Sequence, residues 1–368
     1  MPKKDSHNLI VVKIGSSSLA DKAGNLDHKK LKKLAGEVTA LLKAKKKVVI
    51  VTSGAIVAGS PHLGISGKPK TIPEKQAAAA IGQSRLMHEY EKAFREFEVT
   101  VAQVLLTRDA IADRTPYINA RNTLATLIDN GVVPIVNEND TVSTEEIKFG
   151  DNDTLSALVA SLIGADLLVI LTSVDGFYMN DEDGNPELVE EVKEISKEME
   201  QEAGRPSEQG TGGMITKLEA AKIAMDAGIT MIIANSSEAG VIEAAASGKK
   251  TGTKFDPKIT KLESRKRWLA HGLKRSGIIT VDGGAESALT KKGGSLLSVG
   301  ILRADGDFAA GDAVSIVDES GRELARGLIN YSRDDVDKIK GLKTEKVGEV
   351  LGYKASAEVI HRDNMVIL

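Results

Sequence analysis

From Leu9 to about Ala234, short β-branched runs alternate with longer stretches of helical period, the pattern of strands covered by helices in a largely parallel sheet. The strand candidates are Leu9 to Ile14, Val48 to Val51, Val99 to Leu106, Val132 to Val136, Leu167 to Leu171 and Thr230 to Ile233. Between them Leu31, Leu34, Val38, Leu41 and Leu42 recur at helical spacing, Glu74 to Phe97 is Ala-rich without an internal Pro, and Asn119 to Asn130 stops at Gly131. These predict crossover helices. Most of the strand candidates are apolar almost throughout, as strands buried on both faces must be. The expected fold is α/β, a three-layer αβα sandwich on a largely parallel central sheet.

The pattern changes near residue 257, where Pro257 is followed by the basic stretch KITKLESRKRW. Beyond it, GIITVDGGAESAL, GDFAAGDAVSIVDESGRELARGLIN and LGYKASAEVIHRDNMVIL read as short strands separated by Gly and Asp turns. The expected organisation is a first domain over 1–256, a linker over 257–275 and a small, mainly β domain over 276–368.

Composition narrows the function. The 368 residues are 41% hydrophobic and 27% charged, the balance of a globular protein of about two domains. A net charge of −3 provides no bulk positive field to gather nucleic acid or anionic membrane. The absence of cysteine rules out disulfides, thiolate nucleophiles and cysteine-ligated zinc, and fits a reducing compartment. The opening MPKKDSHNLIVVKIG has no apolar stretch of signal-peptide length, and no run approaches the ~18 apolar residues of a membrane span. An uncleaved, cytoplasmic protein with no membrane partner is expected.

In an open parallel sheet, ligands bind beyond the carboxyl ends of the strands. Those ends carry Lys13-Ile14-Gly15-Ser16, Thr52-Ser53-Gly54-Ala55, Asn137-Glu138-Asn139-Asp140 and Thr172-Ser173-Val174-Asp175. Ordinary polar loops are the alternative for any one of them. Gly210 to Lys217, reading GTGGMITK and leading into the helix LEAAKIAMDAG, has unpaired amides at a helix start, a phosphate site by its physics. A flexible hinge is the competing reading, and an exposed lysine is the competing reading for Lys217. Gly150-Asp151-Asn152-Asp153 precedes another helix, TLSALVASLIG, and although Asp153 suits an N-cap, two aspartates flanking an asparagine exceed what a cap needs. The six histidines lack metal-ligand spacing, and the lysine runs at 29–33 and 43–47 read as solvated helix faces.

Taken together, KIGSSS, VTSGAI, GQSRL, LLTR, NARNTL, NENDTV, EIKFGDNDTLSALVA, GTGGMITKLEAA and SRKRW occur in the order seen in glutamate 5-kinases. The sequence resembles that family over nearly its whole length, and lacks the KFGGTS opening of aspartate kinases. The resemblance implies an amino-acid kinase fold with a C-terminal PUA-type domain, and transfer of phosphate from ATP, with Mg2+, to the γ-carboxylate of L-glutamate. By motif, Lys13 and Lys217 would neutralise the moving phosphoryl group and Asp153 would organise them. Ser53, Asp140 and Asn152, with Asp151 beside them, would hold glutamate. Lys13, Gly15, Thr172, Ser173, Thr211, Gly212, Gly213, Met214, Ile215, Thr216 and Lys217 would hold nucleotide, Ser173 standing where the family more often has an acid. No metal ligand from the protein is implied. Proline as feedback inhibitor, a homo-oligomer and a downstream glutamyl phosphate reductase follow from the same resemblance.

A different small-carboxylate or carbamate kinase of this fold is the rival enzyme. The rival of another class is an RNA-binding or RNA-modification protein, because PUA-type domains are associated with RNA. From residue 277 onward, however, 12 Lys and Arg face 15 Asp and Glu, a poor balance for neutralising phosphates, and aromatics are only 3% of the chain, leaving few stacking platforms.

Overall fold

The computed structural model describes residues 7–21, 26–64, 69–107, 111, 114–142, 152–181, 183–204, 213–257, 259, 275–353 and 356–368. The chain divides into two compact units, Met1–Thr260 and Lys261–Leu368. The first runs through β1 (Leu9–Ile14), α1 (Ser16–Leu19), α2 (His28–Lys43), β2 (Lys47–Thr52), α3 (Ala55–Gly59), α4 (Ile72–Arg95), β3 (Val101–Leu106), α5 (Arg114–Asp129), β4 (Val133–Glu138) and α6 (Asn152–Ile163). It continues through β5 (Leu167–Thr172), the hairpin β6 (Tyr178–Asn180) and β7 (Pro186–Leu188), β8 (Glu191–Val192), α7 (Lys197–Ala203), α8 (Gly213–Asp226), β9 (Thr230–Asn235), α9 (Val241–Ala246) and β10 (Thr253–Phe255).

Eight of these strands form one sheet in the order β3-β4-β2-β1-β5-β9-β10-β8. Every pairing is parallel except that of β10 with β9. Strand alternation sends Val11, Val51, Val136 and Ile170 to one face, under α5, α6, α7 and α8, and Ile10, Val12, Ile50 and Val169 to the other, under α2, α4 and α9. Two-sided burial explains why these strands read as unbroken apolar runs. The three-layer sandwich expected from the pattern is present, and the expected strands shift by no more than about two residues at an end.

Local chemistry sets the helices. Asp27 caps α2 by accepting from the Lys29 and Lys30 amides, and Thr71 with Glu74 forms a reciprocal capping box at α4. Where α3 crosses α4, a Cβ on Gly82 would stand 1.8 Å from the Ala55 carbonyl oxygen, and one on Gly59 would stand 1.8 Å from that of Ala78. Only glycine permits that approach. The lysine runs do more than face water: Lys33 donates to the carbonyls of Ser236, Ser237 and Glu238, and Lys47 pairs with Asp129.

The second unit contains β11 (Gly277–Val281), α10 (Gly283–Thr290), β12 (Ile301–Gly306), β13 (Ala313–Val317), β14 (Glu323–Leu328), α11 (Arg333–Ile339), α12 (Thr344–Leu351) and β15 (Met365–Ile367). Its five strands are ordered β12-β11-β13-β14-β15 around a core that includes Ile279, Ile316 and Val336. Gly283 to Thr290, read from sequence as part of a strand-and-turn stretch, is helical because the Asp282 carboxylate accepts from the Ala285 amide at 2.7 Å and caps it. Most of the expected linker, 258 and 260–274, lies outside the described residues. Among the described residues no helix is long and apolar enough to cross a membrane.

Candidate active site

Lys13 is the one charged residue in β1, and alternation places it on the Val11 face, under α6 and α8. It is 7% exposed, and its Nζ lies 2.6 Å from Asp153 Oδ1. Asp153 sits in the first turn of α6, and its Oδ2 receives Lys217 Nζ at 3.1 Å and the Thr216 hydroxyl at 2.8 Å, both from the first turns of α8. Lys217 Nζ also donates to the Gly213 carbonyl at 3.0 Å. Burial works to raise the Asp153 carboxyl, but Lys13 and Lys217 together with the hydrogen bonds from Lys13 and Thr216 outweigh it and hold the group below the usual range. Two lysines share this one carboxylate, a concentration of positive charge that suits an anionic ligand.

The glycines beside it leave room for one. A Cβ on Gly15 would lie 3.7 Å from Lys13 Nζ, and one on Gly213 would lie 4.0 Å from Lys217 Nζ. The backbone around both ammonium groups is therefore bare, as close approach of a phosphate requires.

Asn152, the residue before Asp153, faces the neighbouring strand ends. Its Nδ2 donates to the Thr52 carbonyl at 2.9 Å, Ser53 Oγ at 2.8 Å and Asn137 Oδ1 at 3.1 Å. Its Oδ1 is buried and has no hydrogen-bond partner among the described residues. Past the end of β4, Glu138 and Asp140 are both buried, and burial followed by the charge of Glu138 pushes the Asp140 carboxyl up to about 7. A carbonyl oxygen left without a donor and a carboxyl pushed up by burial are groups that suit a cation carrying N–H donors, such as an ammonium group.

The structure thus gathers Lys13, Asp153, Thr216, Lys217, Gly15 and Gly213 into one cluster, and Ser53 and Asn152 into a second beside it, with Asp140 past the end of β4. Met214 packs on the core under α8, while Ile215 is exposed. Thr172 ends β5, and Ser173 borders a cavity of about 420 Å³ with Ser17, Ser18 and Ser236 on the α2–α9 face, away from the Lys13 side chain. Asp151, Thr211 and Gly212 lie outside the described residues. Sequence reasoning did not single out Thr52, Gln83, Tyr90, Asn137 or Glu138. Asn137 and Glu138 stood in the same polar run as Asp140 and Gln83 lies within GQSRL, but nothing local marks Tyr90, whose contact with Thr52 is tertiary.

Known proteins identify the family. Residues 8–235 match the Amino acid kinase family and 277–351 match the PUA domain. The glutamate 5-kinase of Thermoanaerobacter sp. (strain X514) is 50% identical over 362 residues, covering 98% of this chain and 97% of that one. That of Moorella thermoacetica is 49% identical over 366 residues, covering 98% and 96%. Among solved structures, the carbamate kinase from Giardia lamblia bound to AMP-PNP shares the fold, with a TM-score of 0.50 at 20% identity over 68% of this chain and 99% of that one. Half-identity sustained over both domains, on a sheet whose strand ends carry these two clusters, establishes that the chain belongs to the glutamate 5-kinase family, within the amino acid kinases.

Proposed function

We propose that the chain transfers the γ-phosphoryl group of ATP to the side-chain carboxylate of L-glutamate, yielding L-glutamyl 5-phosphate and ADP, the first step of proline biosynthesis. The observation that carries this reading is that consecutive residues at the start of α6 serve the two halves of the site, with Asp153 on two lysines and Asn152 on the polar pocket.

A glutamate carboxylate, with a reference pKa of about 4.3, is already ionised at neutral pH and needs no general base. One of its oxygens bonds to the γ-phosphorus as the bond to the β,γ-bridging oxygen breaks and ADP leaves with that electron pair. Lys13 and Lys217 stabilise the charge spread over the transferring group, and Asp153 fixes their separation. Asn152 Oδ1 and the ionised Asp140 accept hydrogen bonds from the substrate ammonium beside Ser53, and Asp151 is assigned to the same side. Thr172, Ser173 and residues 211–217 are assigned to the nucleotide. Among the described residues no group of three or more His, Asp or Glu could hold a metal, and Asp153 is taken up by lysines. Mg2+ would be carried in on the phosphates of ATP, where it would supply charge neutralisation.

We assign catalysis to 1–256, joined through 257–275 to the PUA-type domain at 276–368. The same reading places the protein in the cytoplasm as a homo-oligomer, inhibited by proline and passing its labile acyl phosphate to a glutamyl phosphate reductase, with no membrane or nucleic-acid partner. The test is ADP release coupled to hydroxylamine trapping, with glutamate, aspartate, N-acetylglutamate and carbamate compared, and EDTA added in a parallel series. Glutamate is expected to be preferred and EDTA to stop turnover. Equal turnover of aspartate would sink the substrate assignment.

A further inference from the structure

Helix α4 carries none of the residues expected at the site, yet two hydrogen-bonded relays run from it to Asn152. Gln83 and Tyr90 lie about two helical turns apart on one of its faces. In the first relay Asn152 Nδ2 donates to Asn137 Oδ1, Asn137 Nδ2 donates to Gln83 Oε1 at 2.9 Å, and Gln83 Nε2 donates to Gln103 Oε1 at 3.3 Å. In the second, the Tyr90 hydroxyl donates to Thr52 Oγ1 at 2.8 Å, and Thr52 Oγ1 donates to the Ser53 carbonyl at 3.1 Å.

Tyr90 and Thr52 are both wholly buried. Burial pushes the Tyr90 phenol well up, so it stays a donor at any working pH. A threonine hydroxyl has one proton. With Tyr90 filling its acceptor side, that proton is committed to the Ser53 carbonyl, and the end of β2 is held in one orientation. The Thr52 carbonyl and Ser53 Oγ then engage Asn152 Nδ2, which leaves the buried Asn152 Oδ1 as the acceptor still to be filled. The glycine contact between α3 and α4 fixes the helix to the segment that follows Ser53.

We propose that Tyr90, acting through Thr52, is a positioning residue for the amino-acid substrate: it aims Ser53 and Asn152 without touching the ligand. The inference rests on the glutamate kinase reading above.

Steady-state kinetics of the full chain test it, varying glutamate at saturating ATP and ATP at saturating glutamate. Tyr90→Phe keeps the ring that stacks on Phe94 at 6.5 Å and deletes one hydrogen bond. It is expected to raise the KM for glutamate about 3- to 10-fold, with kcat and the KM for ATP unchanged. Thr52→Val should reproduce that split, Thr52→Ser should restore the parental value, and Tyr90→Phe combined with Thr52→Val should be no worse than either alone. A parental glutamate KM in Tyr90→Phe, a parallel rise in the KM for ATP, or multiplying effects in the double variant would each overturn the proposal. If Tyr90→Phe fails to fold, the Thr52→Val and Thr52→Ser pair decides by the same criteria. Failure of the unsubstituted protein to turn over glutamate counts against the kinase reading on which the proposal is built.

Discussion

Lys13 and Lys217, from opposite ends of the catalytic unit, approach opposite oxygens of the Asp153 carboxylate, at 2.6 and 3.1 Å. Removing different members of this trio has different consequences for stability. Lys217→Met leaves Lys13 and Asp153 facing each other as an ion pair, whereas Asp153→Asn removes the carboxylate that both buried ammonium groups share.

Lys217→Met is therefore expected to fold normally and to lose kcat by about 100- to 1,000-fold, as for removal of a charge-stabilising group. Asp153→Asn should lose activity and also about 3–5 kcal/mol of stability. Denaturant unfolding beside turnover assays checks both, and equal stability in the two variants would contradict the charge accounting.

Asp140 is pushed up to about 7 by burial and Glu138, and its proposed contact with the substrate ammonium predicts pH-dependent binding. Below that value the carboxyl is protonated and cannot grip an ammonium group, so the KM for glutamate should rise as pH falls from 8 to 6, with the KM for ATP nearly flat. The linkage to stability has the opposite sense. A carboxyl whose folded pKa is raised contributes stability at low pH that is lost as pH rises through about 7. Asp140→Asn should therefore melt higher than the parent at pH 8, bind glutamate more weakly and lose the pH dependence of its KM. Calorimetry and a KM profile measure these directly.

Gly82→Ala places a methyl group where the Ala55 carbonyl oxygen stands, 1.8 Å away. The helices must separate, at a cost of about 3 kcal/mol or more, and Ser53 moves with α3. Thermal unfolding should show a large loss, with a raised KM for glutamate in whatever remains folded.

In the second unit, Arg326 and Ser315, with Arg275 nearby, hold the Glu323 carboxyl down to about 2. A depressed carboxyl contributes stability above its unfolded value that is lost as pH falls through its folded one. Glu323→Gln should therefore destabilise the protein at pH 7 and converge with the parent near pH 2, read by unfolding at the two pH values.

Much of the fold was legible in the chain because two-sided burial writes itself as apolar runs: β1 was expected at Leu9 to Ile14 and is found there. Periodicity is silent on strand order, so neither the central place of β1 nor the antiparallel β10 could be read from it. The helix from Gly283 was missed because one cap, Asp282, outweighs a glycine-rich start. At the site, the charged and glycine-flanked residues announced themselves by type and position. Tyr90 did not, since a tyrosine in an apolar helical stripe looks like core, and its hydroxyl acquires meaning only when Thr52 arrives opposite it.

Asn152 and Asp153 are joined by a single peptide bond, so on the proposed assignment the grip on one reactant and the anchor for the other are separated by the ~3.8 Å between successive Cα atoms. Neither half can slide without dragging its neighbour. An acceptor shorter by one methylene is then expected to fall short of the phosphorus, so that the start of one helix would itself measure the length of the substrate.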